Sequence, residues 1–317
     1  MGRVIRLTSG ADAFVQGLAA ENIEITVNSF GGNDTIQLNR TDDLGGGNVI
    51  NAGAGADAVI NLKEFGNVIR LGGGNDTYLG RGFSSFASDP GDQVFAGAGN
   101  DLIAVETFQS IYRGEEGDDR FVSVGWQNTF IGGLGSDTIS YAARDDDFTQ
   151  GNTGVAVNLS QGFTQTGANR REFLFSIENA IGSGNDDTLI GNAQANRLVG
   201  AGGFDTLRGN GGADVFVFAK LSDCAVAADA FDLIEDFRRA QGDKIHLRGI
   251  DARTGVSGDQ AFDFIGEAAF DNVKGQLRFE TFADALLVQG DVNGDGRADF
   301  QFAVVGPAVL RAADFLL

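Results

Sequence analysis

Gly132-Gly133-Leu134-Gly135-Ser136-Asp137-Thr138-Ile139-Ser140 is the stretch on which the reading of this chain turns. Its first six residues suit a tight turn, because glycines accept positive φ and a close backbone approach that side chains forbid. Its last three suit a short strand whose middle residue points inward. Outward from this copy, an acidic or small polar residue recurs every nine positions, at Asp92, Asp101, Ser110, Asp119, Asn128 and Asp137. The period resumes at Asp187, Asn196, Asp205 and Asp214. Two residues after each stand Val94, Ile103, Tyr112, Phe121, Phe130, Ile139, Leu189, Leu198, Leu207 and Phe216. With 42% hydrophobic residues overall, ten apolar hits in ten fixed places arise by chance at roughly two in ten thousand, so the period is structural.

Six turn residues and three strand residues per repeat predict an all-β fold, a parallel β-roll or β-solenoid. Successive strands would lie on opposite walls of a flattened right-handed coil, with turns on one edge 18 residues apart. Calcium takes six to eight oxygens at about 2.3–2.6 Å, and paired turns offering carboxylates and carbonyls are expected to supply them. The two edges differ. One carries Gly97-Ala98-Gly99-Asn100-Asp101, Gly117-Asp118-Asp119 and Gly133-Leu134-Gly135-Ser136-Asp137, and is expected to hold metal. The other carries Gly91-Asp92, Gln109-Ser110 and Gln127-Asn128, and is expected to be held by turn hydrogen bonds. Less regular copies lie upstream: Asp34 after Gly32-Asn33, Asp57 after Gly53-Ala54-Gly55-Ala56, and Asp76 after Gly72-Gly73-Gly74-Asn75. In the second run the expected metal positions are Asp187, Asn196, Gly203, Asp205, Gly212 and Asp214. The 16-residue step from Asp76 to Asp92 implies a bulging loop over 81–90.

The chain has 317 residues, 48 of them glycine and only 2 proline, which excludes collagen and a proline-rich disordered chain. A net charge of −21 disfavours nucleic acid and anionic lipid as partners and calls for a counter-cation. Cys224 is the only cysteine, so no internal disulfide forms; among Ala225, Val226 and Ala227 it reads as a free structural thiol and not a reactive one. No stretch approaches the ~20 apolar residues of a membrane helix, so membrane insertion is not expected. The N-terminal residues Met1 to Thr8 lack the apolar core of a secretory signal.

Gly-Gly-x-Gly-x-Asp-x-apolar-x resembles the RTX calcium-binding β-roll family over about 30–218, interrupted at 142–175, where a strand or two is expected. Ser176 to Gly191 looks like the lead-in to an RTX block. From about Asp214 the chain resembles the C-terminal module of serralysin-type proteins. The carrying residues are Asp232-Leu233-Ile234-Glu235-Asp236-Phe237, Gly242-Asp243-Lys244-Ile245, Phe262-Asp263-Phe264-Ile265-Gly266 and Gly290 to Phe300. Asp314-Phe315-Leu316-Leu317 resembles an uncleaved type I secretion signal. The resemblance implies a secreted, extracellular protein exported from a Gram-negative cytoplasm by a type I secretion apparatus, folding outside on several calcium ions. Four segments follow: a β-solenoid with RTX turns (1–141), a bridging β segment (142–181), a second β-roll (182–219) and a serralysin-like module with the export signal (220–317). Removal of Asp314 to Leu317 is expected to impair export and leave folding nearly intact.

Asp291, Asn293, Asp295 and Asp299 occupy positions 1, 3, 5 and 9 of an EF-hand-like loop with Gly296 at 6, but Phe302 stands where a bidentate glutamate is needed. A weak calcium site and an acidic turn both fit. His246 is the only histidine, so His-Glu-x-x-His zinc chemistry is impossible, and its Ile245-His246-Leu247 context reads as structural. No Gly-x-Ser-x-Gly elbow occurs. Tyr112, Phe121, Phe130 and Tyr141 read as core, while Trp126, Phe83, Phe86 and Pro90 are candidates for a recognition surface. The expected role is structural, adhesive or surface-binding, toward a polysaccharide or cell surface, without catalysis. The alternative is a polysaccharide lyase or epimerase using the face of 1–141. An ice-binding array is disfavoured because Thr35, Thr77 and Thr138 are irregularly spaced.

Overall fold

The computed structural model describes residues 2–19, 22–39, 46–81, 91–146, 153–168, 170–226 and 230–317. Phe83, Phe86, Pro90 and the expected 81–90 loop lie, apart from Arg81, outside them. The regular structure of the described residues is nearly all strand, with short 3-10 turns and no α-helix. No helix among the described residues is long and apolar enough to cross a membrane.

The chain divides into two compact units, Met1–Asp147 with Gly162–Ile177, and Phe148–Gln161 with Glu178–Leu317. The first unit is a parallel β-solenoid. One wall stacks Val4–Arg6, Thr26–Asn28, Val49–Ala54, Val68–Gly73, Gln93–Ala98, Ile111–Glu116, Thr129–Leu134 and Arg171–Phe175, each hydrogen-bonded to the next in parallel. The other wall stacks Ala13–Val15, Thr35–Leu38, Ala58–Asn61, Thr77–Gly80, Leu102–Val105, Arg120–Ser123 and Thr138–Ser140 in the same way. Alternation along each strand places one residue type inside. Ile50, Ile69, Val94, Tyr112 and Phe130 from one wall meet Val59, Tyr78, Ile103, Phe121 and Ile139 from the other, all at 0% exposure. The core aromatics pack in a line, Tyr78 on Tyr112 at 6.0 Å and Tyr112 on Phe130 at 5.4 Å. Within the 142–175 interruption, Phe163–Gln165 pairs antiparallel with Arg171–Phe175.

The second unit repeats the plan. Ala156–Asn158, Thr188–Ile190, Thr206–Arg208, Asp232–Ile234 and Phe300–Val304 form one parallel wall. Asn179–Ile181, Arg197–Val199, Val215–Val217, Lys244–His246 and Phe315–Leu316 form the other. The first wall continues through an antiparallel hairpin, Ala285–Asp291 with Gln276–Phe282, which covers the Phe-rich end of the core. Phe315 and Leu316 are thus the last rung of a sheet, and Asp314 is wholly buried. The expectation that folding ignores residues 314–317 is corrected here: they are part of the fold.

Candidate metal centre

The turn aspartates of the first unit form one continuous ladder. Oδ1 of Asp34 accepts from the N–H of Asp12 at 2.7 Å, and Asp57, Asp76, Asp101, Asp119 and Asp137 accept in turn from Asp34, Asp57, Asp76, Asp101 and Asp119 at 2.7–2.9 Å. Each carboxylate therefore fixes the turn before it. The other oxygen behaves differently: Oδ2 of Asp57, Asp76, Asp101 and Asp119 is buried with no hydrogen-bond partner. A buried carboxylate oxygen without a hydrogen-bond donor is costly, and its repetition coil after coil suits a site for cations.

Glycines make this spacing possible. Gly99 has φ +131°, and a Cβ there would stand 2.0 Å from the Gly74 carbonyl oxygen. Gly55, Gly74, Gly117 and Gly135 repeat the conformation along the edge, and Gly53, Gly97 and Gly133 do so two residues earlier, where Phe30 and Glu115 keep positive φ of 77° and 82° without being glycine. At Gly114 the Cβ position lies 1.9 Å from Asp119 Oδ2 and 2.8 Å from the Gly132 carbonyl oxygen of the next turn. A carboxylate and a neighbouring carbonyl thus converge on one small space. In the second unit the corresponding point at Gly182 lies 2.1 Å from Asp187 Oδ2 and 2.6 Å from the Gly200 carbonyl. No three His, Cys, Asp or Glu side chains cluster among the described residues. The donor set is instead one carboxylate per turn plus main-chain carbonyls, all hard oxygens, which fits calcium and not zinc or copper.

The carboxylates also repel one another. Burial first, then the charges of Asp101, Asp137 and Asp118, pushes Asp119 up to about 7. Burial with Asp101 and Asp57 nearby pushes Asp76 up to about 6. Asp57 and Asp101 shift the same way, chiefly through burial.

The opposite edge is chemically closed. Asp92 Oδ1 accepts from the Asn67 N–H and Nδ2, and Oδ2 accepts from Asn61 Nδ2 and Tyr78 OH, all at 2.8–2.9 Å. Ser110 accepts from the Asp92 N–H, and Asn128 from the Ser110 N–H. Asn128 Nδ2 also reaches the buried Glu172, which accepts from Ser123 and Tyr141 as well. These groups make hydrogen bonds where the first edge leaves oxygens open.

In the second unit both edges carry the ladder. Asp187, Asp205 and Asp232 accept on one edge, from the N–H groups of Val155, Asp187 and Asp205. Asp214 and Asp243 accept on the other, from Asn196 and Asp214. Asp214 Oδ2 and Asp232 Oδ2 are buried without partners. Burial is the leading cause that raises Asp205 to about 8 and Asp214 and Asp232 to about 7. Gly203 and Gly212 hold positive φ in these turns. Asp232 and Asp243 escaped the nine-residue count, although Asp232-Leu233-Ile234 and Asp243-Lys244-Ile245 repeat the acid-x-apolar signature.

The loop over 292–299 stands apart, joining two antiparallel strands. Asp291 accepts from the N–H groups of Gly294 and Gly296, Asn293 from Asp295, and Asp299 from Val292 and Asn293. Its carboxylates thus bind their own loop. Trp126 stacks on Phe108 at 5.5 Å with the Arg170 guanidinium over its ring at 4.5 Å. His246 sits in a strand with its pKa lowered, chiefly by burial, and Cys224 is a buried free thiol.

Residues 172–317 match the family model of the peptidase M10 serralysin C terminal, and residues 91–104 match that of the RTX calcium-binding nonapeptide repeat. No curated protein matches the chain. The chain carries RTX calcium-binding repeats and a serralysin C-terminal domain, with no protease domain detected beside them.

Proposed function

We propose that this is a secreted type I substrate that folds on binding calcium outside the cell and then serves as a structural or surface-binding module. The observation that carries it is the ladder of half-satisfied aspartates. Asp57, Asp76, Asp101 and Asp119 each give one oxygen to the neighbouring turn and leave the other buried and unpaired. Calcium would be held by those Oδ2 atoms together with turn carbonyls, and by Asp205, Asp214 and Asp232 in the second unit. What calcium supplies there is charge neutralisation and cross-linking of adjacent coils. Without it, like charges and glycine entropy oppose the turns, so binding free energy becomes folding free energy. Such a chain stays unfolded at low calcium, the state in which a one-step exporter can thread it. The serralysin C-terminal match supports that route.

Equilibrium dialysis against calcium with magnesium in excess tests the reading. Several ions retained per chain with cooperative uptake are expected, and a chain that retains none refutes it.

A further inference from the structure

The turns hold most of the acids, and the wall between them has the opposite character. On the wall that begins with Val4–Arg6, strand register aligns Arg6, Asn28, Asn51, Arg70, Phe95, Arg113, Ile131 and Phe175 in one outward column. Seven inter-strand steps of ~4.8 Å make this a straight stripe roughly 30–35 Å long. Among the described outward strand positions on this wall the one acid is Glu115, two residues beyond Arg113 at the turn end of the Ile111–Glu116 strand.

The stripe is built. Asn51 Nδ2 donates to Asn28 Oδ1 at 2.7 Å, and Arg70 donates to Asn51 Oδ1 at 3.5 Å. The Arg70 and Arg113 guanidiniums both lie over the Phe95 ring, at 5.6 and 4.8 Å from its centroid. Two like charges are therefore held two strands apart, about 10 Å, on one aromatic spacer. Neither Arg70 nor Arg113 has an ion pair among the described residues, and Arg113 Nη1 is buried with no hydrogen-bond partner. In a chain of net charge −21, these cations are held by an aromatic ring and an amide and have no carboxylate partner among the described residues.

We propose that this face binds an extended carboxylated polysaccharide, a chain of uronate residues lying along the column. Guanidinium forks match carboxylates bidentately, which a point charge does not. Phe173 and Phe175, 45% and 53% exposed at the end of the wall, offer apolar platforms for the C–H faces of sugar rings. A single column of register-aligned side chains suits a linear polymer. A duplex nucleic acid, with one charge per about 1.7 Å of axis, is opposed by the acidic turns Asp57, Asp76, Asp101 and Asp119 along one edge of this wall. The outward positions include no histidine, lysine or tyrosine, so the geometry assigns binding and not bond cleavage. This inference rests on the surface-binding reading above and names its ligand.

The test is calorimetric titration of the calcium-loaded full chain with a uronate oligomer too short to gel with calcium, beside a neutral oligomer of equal length. The uronate should bind and the neutral sugar should not. Arg70→Gln with Arg113→Gln should weaken binding at least tenfold, and Asn51→Glu, which places a carboxylate in the column, should do likewise. Arg120→Gln with Arg197→Gln, the same change in net charge elsewhere, should stay within twofold. Circular dichroism in the same buffer establishes that each variant is folded. Equal binding of the neutral oligomer, unchanged binding by the column variants, or no binding by folded chain overturns the proposal. A chain already β-structured in EGTA would sink the calcium reading and leave this titration to be run as it stands.

Discussion

Asp119→Asn separates the two things a turn carboxylate does. Oδ1 accepts the Asp101 N–H at 2.9 Å, a bond asparagine keeps, while the unpaired Oδ2 becomes an uncharged amide. The native carboxyl is pushed from 3.8 to about 7, first by burial and then by Asp101, Asp137 and Asp118. That rise corresponds to about 4 kcal/mol, which we halve to about 2 kcal/mol because the turn edge is close to solvent and screened. A raised carboxyl favours the protonated form in the folded state. The penalty is therefore absent below about pH 4, grows as pH rises toward 7, and is constant above. Without metal the variant should be more stable than the native chain by about 2 kcal/mol at pH 8 and equal to it at pH 4. With calcium the order reverses, because the variant lacks an anionic ligand, and its calcium midpoint should rise roughly tenfold or more. Both are read by far-UV circular dichroism, the first in EGTA with folding driven by trimethylamine N-oxide, the second in a calcium titration. Destabilisation in EGTA at both pH values together with an unchanged calcium midpoint would refute the ladder as a metal edge.

Gly99→Ala drives a Cβ to 2.0 Å from the Gly74 carbonyl oxygen at φ +131°, so it should lose more than about 3 kcal/mol in thermal unfolding; Gly73→Ala, whose Cβ meets nothing within 4 Å, should be nearly neutral. Glu172 is raised from 4.5 to about 7, chiefly by burial, so native stability should fall between those pH values. Glu172→Gln should flatten that slope in calcium-saturated urea unfolding and gain on the order of 3 kcal/mol at pH 8. Burial opposes ionisation of Asp314, but hydrogen bonds from Arg239 at 2.6–2.7 Å hold it below the usual range. Arg239→Gln should therefore cost roughly 2–3 kcal/mol at pH 7, a cost that shrinks as pH falls below the usual carboxylate range and Asp314 takes up its proton; an equal loss throughout an acid titration would remove the ion pair from the account.

The fold was legible because Asp119-Arg120-Phe121 and its copies bind turn, ladder and core into nine residues, and each apolar member is found at 0% exposure. Asp232 and Asp243 were not, because the inserts before them stretch the step to 27 and 29 residues, hiding a ladder that pairing in space restores. Register likewise decides what spacing obscures. Thr35, Thr77 and Thr138 share one outward column, interrupted by Ala58, Leu102 and Arg120, so the obstacle to an ice-like array is those three residues and not irregular loops. Arg6, Arg70 and Arg113 come together for the same reason, although 64 and 43 residues separate them. Unequal loops scatter a column in sequence while the hydrogen-bonded walls keep it straight.

Far-UV circular dichroism of the intact chain, titrated from EGTA to about 10 mM calcium, tests the central claim most directly, since it spans the ~0.1–1 mM affinities of extracellular modules. The ladder of unpaired carboxylates predicts a coil spectrum in EGTA and a cooperative transition to β structure as calcium rises. A full β spectrum already present in EGTA at pH 8, unchanged by calcium, would contradict it.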